Sequence, residues 1–173
     1  MVPTRPTEQE PVFMDEFSIR RGRLGDEALI LTLLRELAEY EELLEKFHIS
    51  EDVIRRDYLA PAPVVNCDLA FAGAEAIGIA SWYWIYRSFA AKRAIYLEDL
   101  FVRPAARGKG YGKSLLAHLA KTALAAGGVC VDWSVLDWNK PSIDFYEGIG
   151  AKRVDGWYVY RLQDDALRKM ANG

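Results

Sequence analysis

Cysteine is scarce in this 173-residue chain, which contains only Cys67 and Cys130. Two cysteines this far apart in sequence cannot form a disulfide framework or a spaced thiolate zinc site. The scarcity excludes the class of small disulfide-stabilised proteins, and it fits a reducing cytoplasm best.

The sequence also lacks a surplus of positive charge and a long hydrophobic run. Lysine and arginine total 22 against 25 acidic residues, so the formal net charge is −3 and no basic excess is available for a nucleic-acid backbone. The longest uncharged apolar run, Ala76 to Tyr86, is well short of the roughly 18 residues that suggest a membrane-spanning helix. We therefore expect neither a nucleic-acid partner nor a membrane partner.

The apolar content is sufficient for one compact core. Apolar residues make up 51% of the chain, and two domains would each be short of core at this length. Residues 1–16 contain prolines among Thr and Glu and show no apolar periodicity, which predicts a disordered leader. We expect a single domain over residues 17–173.

Apolar periodicity predicts a mixed α/β fold. In the first helix the apolar residues recur at helical spacing from Ile30 to Ala38, and continuing this stripe places Glu41 on the inward side unless the helix frays. A short strand from Phe17 and a cap at Asp26 precede that helix. The later elements are predicted as a helix from a Ser50 cap, strands at 68–72, 76–86 and 94–102, a helix at 112–123, a strand at 129–135, a helix at 139–148 and a strand at 156–162.

The strongest local signal is a glycine-rich join between the strand at 94–102 and the helix at 112–123. Gly108, Gly110 and Gly112 stand where the helix begins. A loop of this kind presents bare backbone N–H groups at the positive end of a helix, so it can bind phosphate. A glycine-rich surface turn that only caps the helix is the structural alternative.

Two familiar nucleotide motifs do not fit this loop. Gly112-Lys113-Ser114 matches the end of a P-loop, but Arg107 stands where the upstream glycine is required. The glycine spacing also lacks the third glycine of the dinucleotide fingerprint. A nucleotide-binding protein is therefore a remote hypothesis.

The pattern that does fit is Arg107-x-x-Gly110-x-Gly112, which resembles the pyrophosphate-binding loop of the GNAT superfamily of acyl-CoA-dependent N-acetyltransferases. Segments 96–102 (YLEDLFV) and 138–151 (WNKPSIDFYEGIGA) resemble the same superfamily, most of all its spermidine/spermine and thialysine N-acetyltransferases. Segment 37–41 (LAEYE) resembles that subfamily too. The resemblance departs at residues 61–75, which match poorly, and at 155–156, where the chain is shorter than expected.

The resemblance implies both a fold and an activity. The fold is α/β, with a mixed, mostly antiparallel sheet, a central parallel pair of splayed strands and flanking helices. The activity is transfer of the acetyl group of acetyl-CoA to a primary amine of a small cationic substrate, by direct attack in a ternary complex and without a metal. The substrate implied is a polyamine or a lysine/thialysine-like amino acid, and the assembly implied is a homodimer.

The resemblance also assigns the acetyl-CoA site. The backbone N–H groups of the loop meet the pyrophosphate, which involves Arg107, Gly108, Lys109, Gly110, Tyr111, Gly112 and Lys113. The pantetheine arm and the thioester are expected along the backbone of Leu100, Phe101 and Val102, with further contacts from Asn139 and Ser142. Tyr146 matches the general acid that protonates the departing thiolate. The alternative for Tyr146 is an aromatic ring packed on Phe145.

Glu98 and Asp99 interrupt an otherwise apolar strand. Buried carboxylates need a partner, and a cationic amine supplies one. Because adjacent strand residues point to opposite faces, both acids can reach one substrate only through a bulge. We expect Glu98 to be the closer residue, binding the cation or removing its proton through water, although a salt bridge to Lys92 or Arg93 is the alternative.

Further substrate contacts are implied at Tyr40, Glu41 and Asp155. The alternative for Glu41 is a solvated face of the acidic run that follows the first helix. His48 and His118 fit no nucleophile or metal pattern, so both are expected at the surface. A second functional hypothesis is a non-catalytic acyl-CoA-binding module of the same fold that has lost turnover.

Overall fold

The computed structural model describes residues 16–173. Apart from Glu16, the leader expected at residues 1–16 lies outside the described residues. The described chain divides after Ser134 into two compact units. We call the first the sheet unit, which ends at Ser134, and the second the C-terminal unit, which runs from Val135 to Gly173.

The sheet unit is built on a five-stranded sheet in the order β1-β2-β3-β4-β5. Its strands are β1 Phe17–Arg21, β2 Asn66–Ala72, β3 Glu75–Arg87, β4 Lys92–Val102 and β5 Val131–Trp133. Neighbouring strands are antiparallel except β4 and β5, which pair in parallel from Ile95 to Leu97. The prediction of a mixed, mostly antiparallel sheet with one parallel pair is confirmed.

The described part of the sheet unit, residues 16–134, contains the α-helices α1 Glu27–Tyr40, α2 Glu51–Asp57 and α3 Tyr111–Ala125. The Ser50 side chain caps α2 as predicted, because its oxygen accepts the Val53 backbone N–H at 3.4 Å. Asp26 precedes α1 as predicted, yet its carboxylate makes no cap. The carboxylate instead accepts two hydrogen bonds from Arg20, which outcompetes the weaker helix-terminal amides.

The core of the sheet unit lies between α1 and one face of the sheet. The buried face of α1 consists of Ile30, Leu33, Leu34 and Leu37, which pack with buried strand residues such as Leu69 and Ile79. Each fully buried side chain of this size contributes about 1.5–3 kcal/mol to folding.

One ion pair fixes the second half of α1 beside the ends of the strands. Arg103, which follows β4, donates to both oxygens of Glu36 on α1 at 2.8 and 2.9 Å. The same guanidinium donates to the Ala76 carbonyl of β3 at 2.8 Å. This bidentate contact holds the turn that contains Tyr40 and Glu41 in a fixed place over the sheet.

The C-terminal unit contains two helices, α4 Lys140–Gly148 and α5 Asp164–Ala171. The Asn139 side chain caps α4 by accepting the Ser142 N–H at 3.3 Å, and Pro141 lies in the first turn as predicted. The strand predicted at 156–162 is wrong, because residues 151–163 form neither helix nor strand. Alternating apolar residues show that a segment can pair, but a strand also needs a neighbour, and the unit's described residues contain none.

Among residues 16–173, no helix has both the length and the apolar character needed to cross a membrane.

Candidate active site

The site begins with a β-bulge in β4. On β3, the adjacent residues Ser81 and Trp82 lie opposite Asp99 and Leu97, so Glu98 is the extra residue between them. A bulge is the feature that two neighbouring acids need in order to face the same side. Glu98 and Asp99 indeed line the same cavity.

This cavity, which we call the acidic cavity, has a volume of about 500 Å³. Small-molecule sites typically measure roughly 300–1,000 Å³. Its carboxylates are Glu41, at the end of α1, together with Glu98 and Asp99. Apolar and aromatic side chains form the rest of the wall and include Leu34, Leu37, Ala38, Leu43, Phe47, Ile49 and Tyr58.

Asp99 is half-buried, and its carboxylate accepts a short hydrogen bond from the fully buried Ser81 hydroxyl. The pKa of Asp99 is raised from 3.8 to about 6. Burial is the largest cause, the charges of Glu98 and Glu41 add to the rise, and the Ser81 hydrogen bond opposes it. Asp99 can therefore gain or lose a proton close to neutral pH, as a general base must.

Glu98 is exposed, and Tyr83 donates a hydrogen bond to it at 3.2 Å. The alternative of a salt bridge to Lys92 or Arg93 is wrong, because Glu98 forms no ion pair in the described part of the chain. Burial, the charge of Glu98 and this hydrogen bond raise the pKa of Tyr83 to about 12. Tyr83 therefore stays a neutral donor, and Glu98 keeps its remaining lone pairs for a cation.

Glu41 is half-buried and faces the acidic cavity, as the apolar stripe of α1 predicts. It is the first residue after the helix, and its N–H still bonds to the Leu37 carbonyl at 2.9 Å. Burial raises the pKa of Glu41 above its ordinary value. Burial and the neighbouring acids also raise the pKa of Tyr58, so the cavity contains a neutral phenol beside its carboxylates.

Two basic residues line the acidic cavity as well, Lys46 and His48. Lys46 ends a short 3₁₀ helix, Leu44–Lys46, and His48 follows it in a loop. His48 is exposed, as predicted, but sequence reasoning did not place it at the site. Within residues 16–173, the Lys46 ammonium has no ion pair or side-chain hydrogen bond.

Arg107 connects the glycine-rich loop to the cavity region. Its guanidinium lies 4.6 Å from the centre of the Tyr40 ring, and its Nε donates to the Val102 carbonyl at 2.9 Å. An implied substrate residue, an implied pyrophosphate contact and the end of β4 are thus in one contact network. A guanidinium over an aromatic face holds both groups in a defined orientation.

The glycine-rich loop presents unused donors. Gly108 and Gly110 have φ values of +78° and +83°, and a Cβ added at either would meet no atom within 4 Å. Among the described residues, the backbone N–H groups from Gly108 to Lys113 meet no acceptor, and the first helical bond at this end is from Ser114 to the Gly110 carbonyl. The loop therefore suits a pyrophosphate, because its glycines allow the required backbone conformation, the space beside them is open, and its N–H groups can donate hydrogen bonds.

Within residues 16–173, no strand pairs with the end of β4 on its β5 side. Pairing with β5 stops at Leu97 and Trp133, whereas β4 continues to Val102. On the other side, Leu100, Phe101 and Val102 pair with β3. The free edge leaves N–H and C=O groups of this segment for a ligand that runs alongside it.

The remaining site residues from the sequence lie in the C-terminal unit. Asn139 is buried, Ser142 is half-buried, and the half-buried Tyr146 ring lies 5.3 Å from the ring of Phe145. Asp155 is exposed in the segment without regular structure.

Besides Lys46 and His48, sequence reasoning did not place Ser81, Tyr83 and Tyr58 at the site. Ser81 is a small polar residue in an apolar strand, which is the one signal that could have singled it out. Tyr83 belongs to an aromatic run that resembles ordinary strand composition. Only the β3–β4 register brings both beside the acids.

Comparison with known proteins gives consistent results. The sequence profile of the family described as Acetyltransferase (GNAT) family matches residues 30–151. The chain is 36% identical over 164 residues to a thialysine N-epsilon-acetyltransferase of Sus scrofa, covering 88% of this chain and 96% of that one. It is 32% identical over 168 residues to a spermidine/spermine N(1)-acetyltransferase-like protein 1 of Homo sapiens, covering 91% of this chain and 24% of that protein. An integron cassette protein from the mobile metagenome of V. cholerae superposes with a TM-score of 0.78 at 25% identity, over 91% of this chain and 98% of that one.

Proposed function

This chain belongs to the acetyltransferase (GNAT) family and is an N-acetyltransferase; from that premise we propose that it transfers the acetyl group of acetyl-CoA to a primary amine of a small cationic substrate, by direct attack in a ternary complex. The observation that carries the proposal is the cavity lined by Glu41, Glu98 and Asp99 at the bulge of β4. The substrate class is a polyamine or a lysine-like amino acid.

The carboxylates have two different roles toward the amine, binding its charged form and accepting its proton. An alkyl ammonium titrates near 10, so it must lose a proton before its nitrogen can attack a thioester. Glu98 and Glu41 bind the ammonium group in the acidic cavity. Asp99, whose pKa is about 6, accepts the proton directly or through water. In this proposal Glu98 is the acid closest to the substrate cation, as expected from the sequence.

The backbone of β4 and Tyr146 act on the thioester of acetyl-CoA. Amide groups between Leu100 and Val102 hold the carbonyl oxygen as negative charge develops on it. Nitrogen attack forms the amide bond, the carbon–sulfur bond breaks, and Tyr146 gives its phenolic proton to the departing thiolate. The loop from Arg107 to Lys113, with Asn139 and Ser142, holds the remainder of acetyl-CoA.

We also propose a cytoplasmic homodimer in which residues 17–173 act as one catalytic domain. Cys67 and Cys130 are both free thiols, which suits a reducing compartment. In the C-terminal unit, Trp157, Tyr158, Val159 and Tyr160 are 79–91% exposed. Consecutive exposed apolar side chains of this kind mark protein interfaces, and a second copy of the chain is the proposed partner.

The test is thiol release from acetyl-CoA by the purified chain, against spermidine, spermine, putrescine, thialysine, lysine and an aminoglycoside. Turnover with a cationic amine supports the proposal, and the amine that reacts fastest identifies the substrate class. Absence of turnover across the panel, with acetyl-CoA still bound in calorimetry, would contradict it. That outcome would favour the non-catalytic acyl-CoA-binding module.

A further inference from the structure

Side chains of both charge signs line the acidic cavity, and they come from different elements. Glu41, Glu98 and Asp99 come from the end of α1 and from β4, whereas Lys46 and His48 come from the 3₁₀ helix and the loop after it. A site that bound only polycations would have no use for a lysine in its wall, because like charges repel. The part of the lining that contains Lys46 therefore suits a different part of the substrate from the reacting amine.

Lys46 is available to bind an anion. No carboxylate in the described chain lies within ion-pair distance of its ammonium, although three line the same cavity. The backbone places it by the Lys46 N–H to Leu43 carbonyl bond of 2.9 Å and the Phe47 N–H to Leu44 carbonyl bond of 3.1 Å. The next side chain, Phe47, packs under the guanidinium of Arg35 at 5.0 Å. The backbone at Lys46 is thus held by its neighbours, and within residues 16–173 its ammonium forms no ion pair.

We propose that Lys46, assisted by His48, binds a carboxylate of the amine substrate and makes the enzyme selective for a diamino acid over a polyamine. This inference rests on the proposed acetyl transfer and adds its specificity. The side-chain ammonium of a lysine-like amino acid binds at Glu98 and Glu41, within reach of Asp99, and its carboxylate lies at Lys46. A polyamine of the same length would instead place a second ammonium, or no charge, beside Lys46.

The experiment compares substrates that differ only by the carboxylate. One pair is L-lysine and 1,5-diaminopentane, and the other is thialysine and bis(2-aminoethyl) sulfide. For each pair, kcat/KM is measured by thiol release, and Kd is measured by calorimetry on the same full-length preparations. The variants are Lys46→Ala, Lys46→Glu, Lys46→Arg and His48→Ala.

The expected result is a reversal of selectivity. The wild-type protein favours the amino acid of each pair, and Lys46→Ala lowers its kcat/KM by about 10-fold to 100-fold, the worth of a hydrogen bond to a charged group. The same variant raises kcat/KM for the diamine, because a like charge has been removed. Lys46→Glu makes the diamine the better substrate, Lys46→Arg retains the preference for the amino acid, and His48→Ala weakens it.

Lys121→Ala is the matched control, because Lys121 is an exposed lysine of α3 outside the cavity wall. It is expected to leave both substrates of each pair unaffected. Equal Kd values for the two members of a pair in the wild-type protein, or equal losses for both in Lys46→Ala, would overturn the proposal. Failure of acetyl transfer itself would appear as absent turnover with every amine, and the Kd comparison would still decide the role of Lys46.

Discussion

Asp99 illustrates how the surroundings of one residue determine its chemistry. Its neighbour Glu98 has the same functional group but lies exposed, whereas Asp99 is half-buried beside the Ser81 hydroxyl and two further acids. The raised pKa of Asp99 follows from burial first and from the negative charges second. The same raised pKa links the activity and the stability of the protein to pH in opposite directions.

We expect kcat/KM to rise with pH through about 6 as Asp99 ionises. Asp99→Asn removes this rise and lowers kcat/KM by about 10²-fold to 10⁴-fold, the usual contribution of general acid–base catalysis. Ser81→Ala shifts the rise to higher pH, because the hydrogen bond that favours the charged form is lost. Rates measured from pH 5 to 8 check these expectations, and a profile of Asp99→Asn that matches the wild type would show that Asp99 is not the base.

The free energy of unfolding is expected to fall as pH rises, whereas kcat/KM is expected to increase. Because the folded state binds the Asp99 proton more tightly than the unfolded state, this residue stabilises the fold least above pH 6, and its contribution falls as pH rises from about 4 to about 6. The free energy of unfolding of Asp99→Asn, relative to that of the wild type, is therefore expected to increase as pH rises from 4 to 7. Urea unfolding at the two pH values measures the difference, and an unchanged or opposite difference would contradict the raised pKa.

A second prediction at this scale concerns Tyr146. Replacing it with Phe removes the phenolic proton while keeping the ring, so kcat should fall about 10²-fold to 10⁴-fold with the Kd of acetyl-CoA little changed. Stopped-flow turnover and calorimetry measure the two quantities. Tyr86→Phe, the same change at an exposed tyrosine of β3 outside the acidic cavity, is the control and should leave kcat unaffected. Unchanged turnover in Tyr146→Phe would exclude this residue as the acid.

At the scale of elements, the site depends on two local departures from regular structure. The bulge at Glu98 turns two adjacent acids to one cavity, and the early end of β5 leaves the last residues of β4 unpaired on one side. The Arg103–Glu36 contact then fixes the end of α1, and with it Glu41, opposite the bulge. These features bring together acids that come from the end of α1 and from the bulged part of β4.

The glycine-rich loop gives the prediction at this scale. Gly110 precedes α3 with φ +83°, and a Cβ there meets no atom, so Gly110→Ala costs only the left-handed backbone, about 1–2 kcal/mol. The variant should also bind acetyl-CoA more weakly, because relaxation of the backbone turns its N–H groups away. Gly148→Ala is the control, since its Cβ likewise meets nothing and its φ is ordinary. Denaturant unfolding and calorimetry check the prediction, which equal effects of the two substitutions would contradict.

At the scale of the whole molecule, the exposed segment 157–160 bears on assembly. If a second copy covers it, Tyr158→Asp should reduce the mass in light scattering from that of a dimer to that of a monomer, because burying an unpaired charge is costly. Phe89→Asp is the control, because Phe89 is a fully exposed aromatic of the sheet unit outside this segment. A wild-type protein that is monomeric at micromolar concentration would contradict the homodimer.

Sequence patterns predicted most of the elements because each depends on local information. The stripe of α1, the Ser50 cap and the glycine-rich loop are read within a few residues, and the structure contains all three. The predicted cap at Asp26 does not form, because the Asp26 carboxylate accepts hydrogen bonds from Arg20 on β1 and not from the first amides of the helix. The strand predicted at 156–162 differs for the same reason: its formation depends on a partner strand outside the segment.

What the sequence alone determined is the chemical inventory: an acid pair in an apolar strand, an inward-facing Glu41, a phosphate-binding loop and the family resemblance. Residue types and short spacings carry this information. Only the tertiary structure decided that Glu98 is the bulged residue, that Ser81 and Tyr83 hydrogen-bond to the two acids, and that Lys46 lines the same cavity as these acids. These contacts join residues far apart in the chain, and strand register and helix packing, which no local pattern specifies, bring them together.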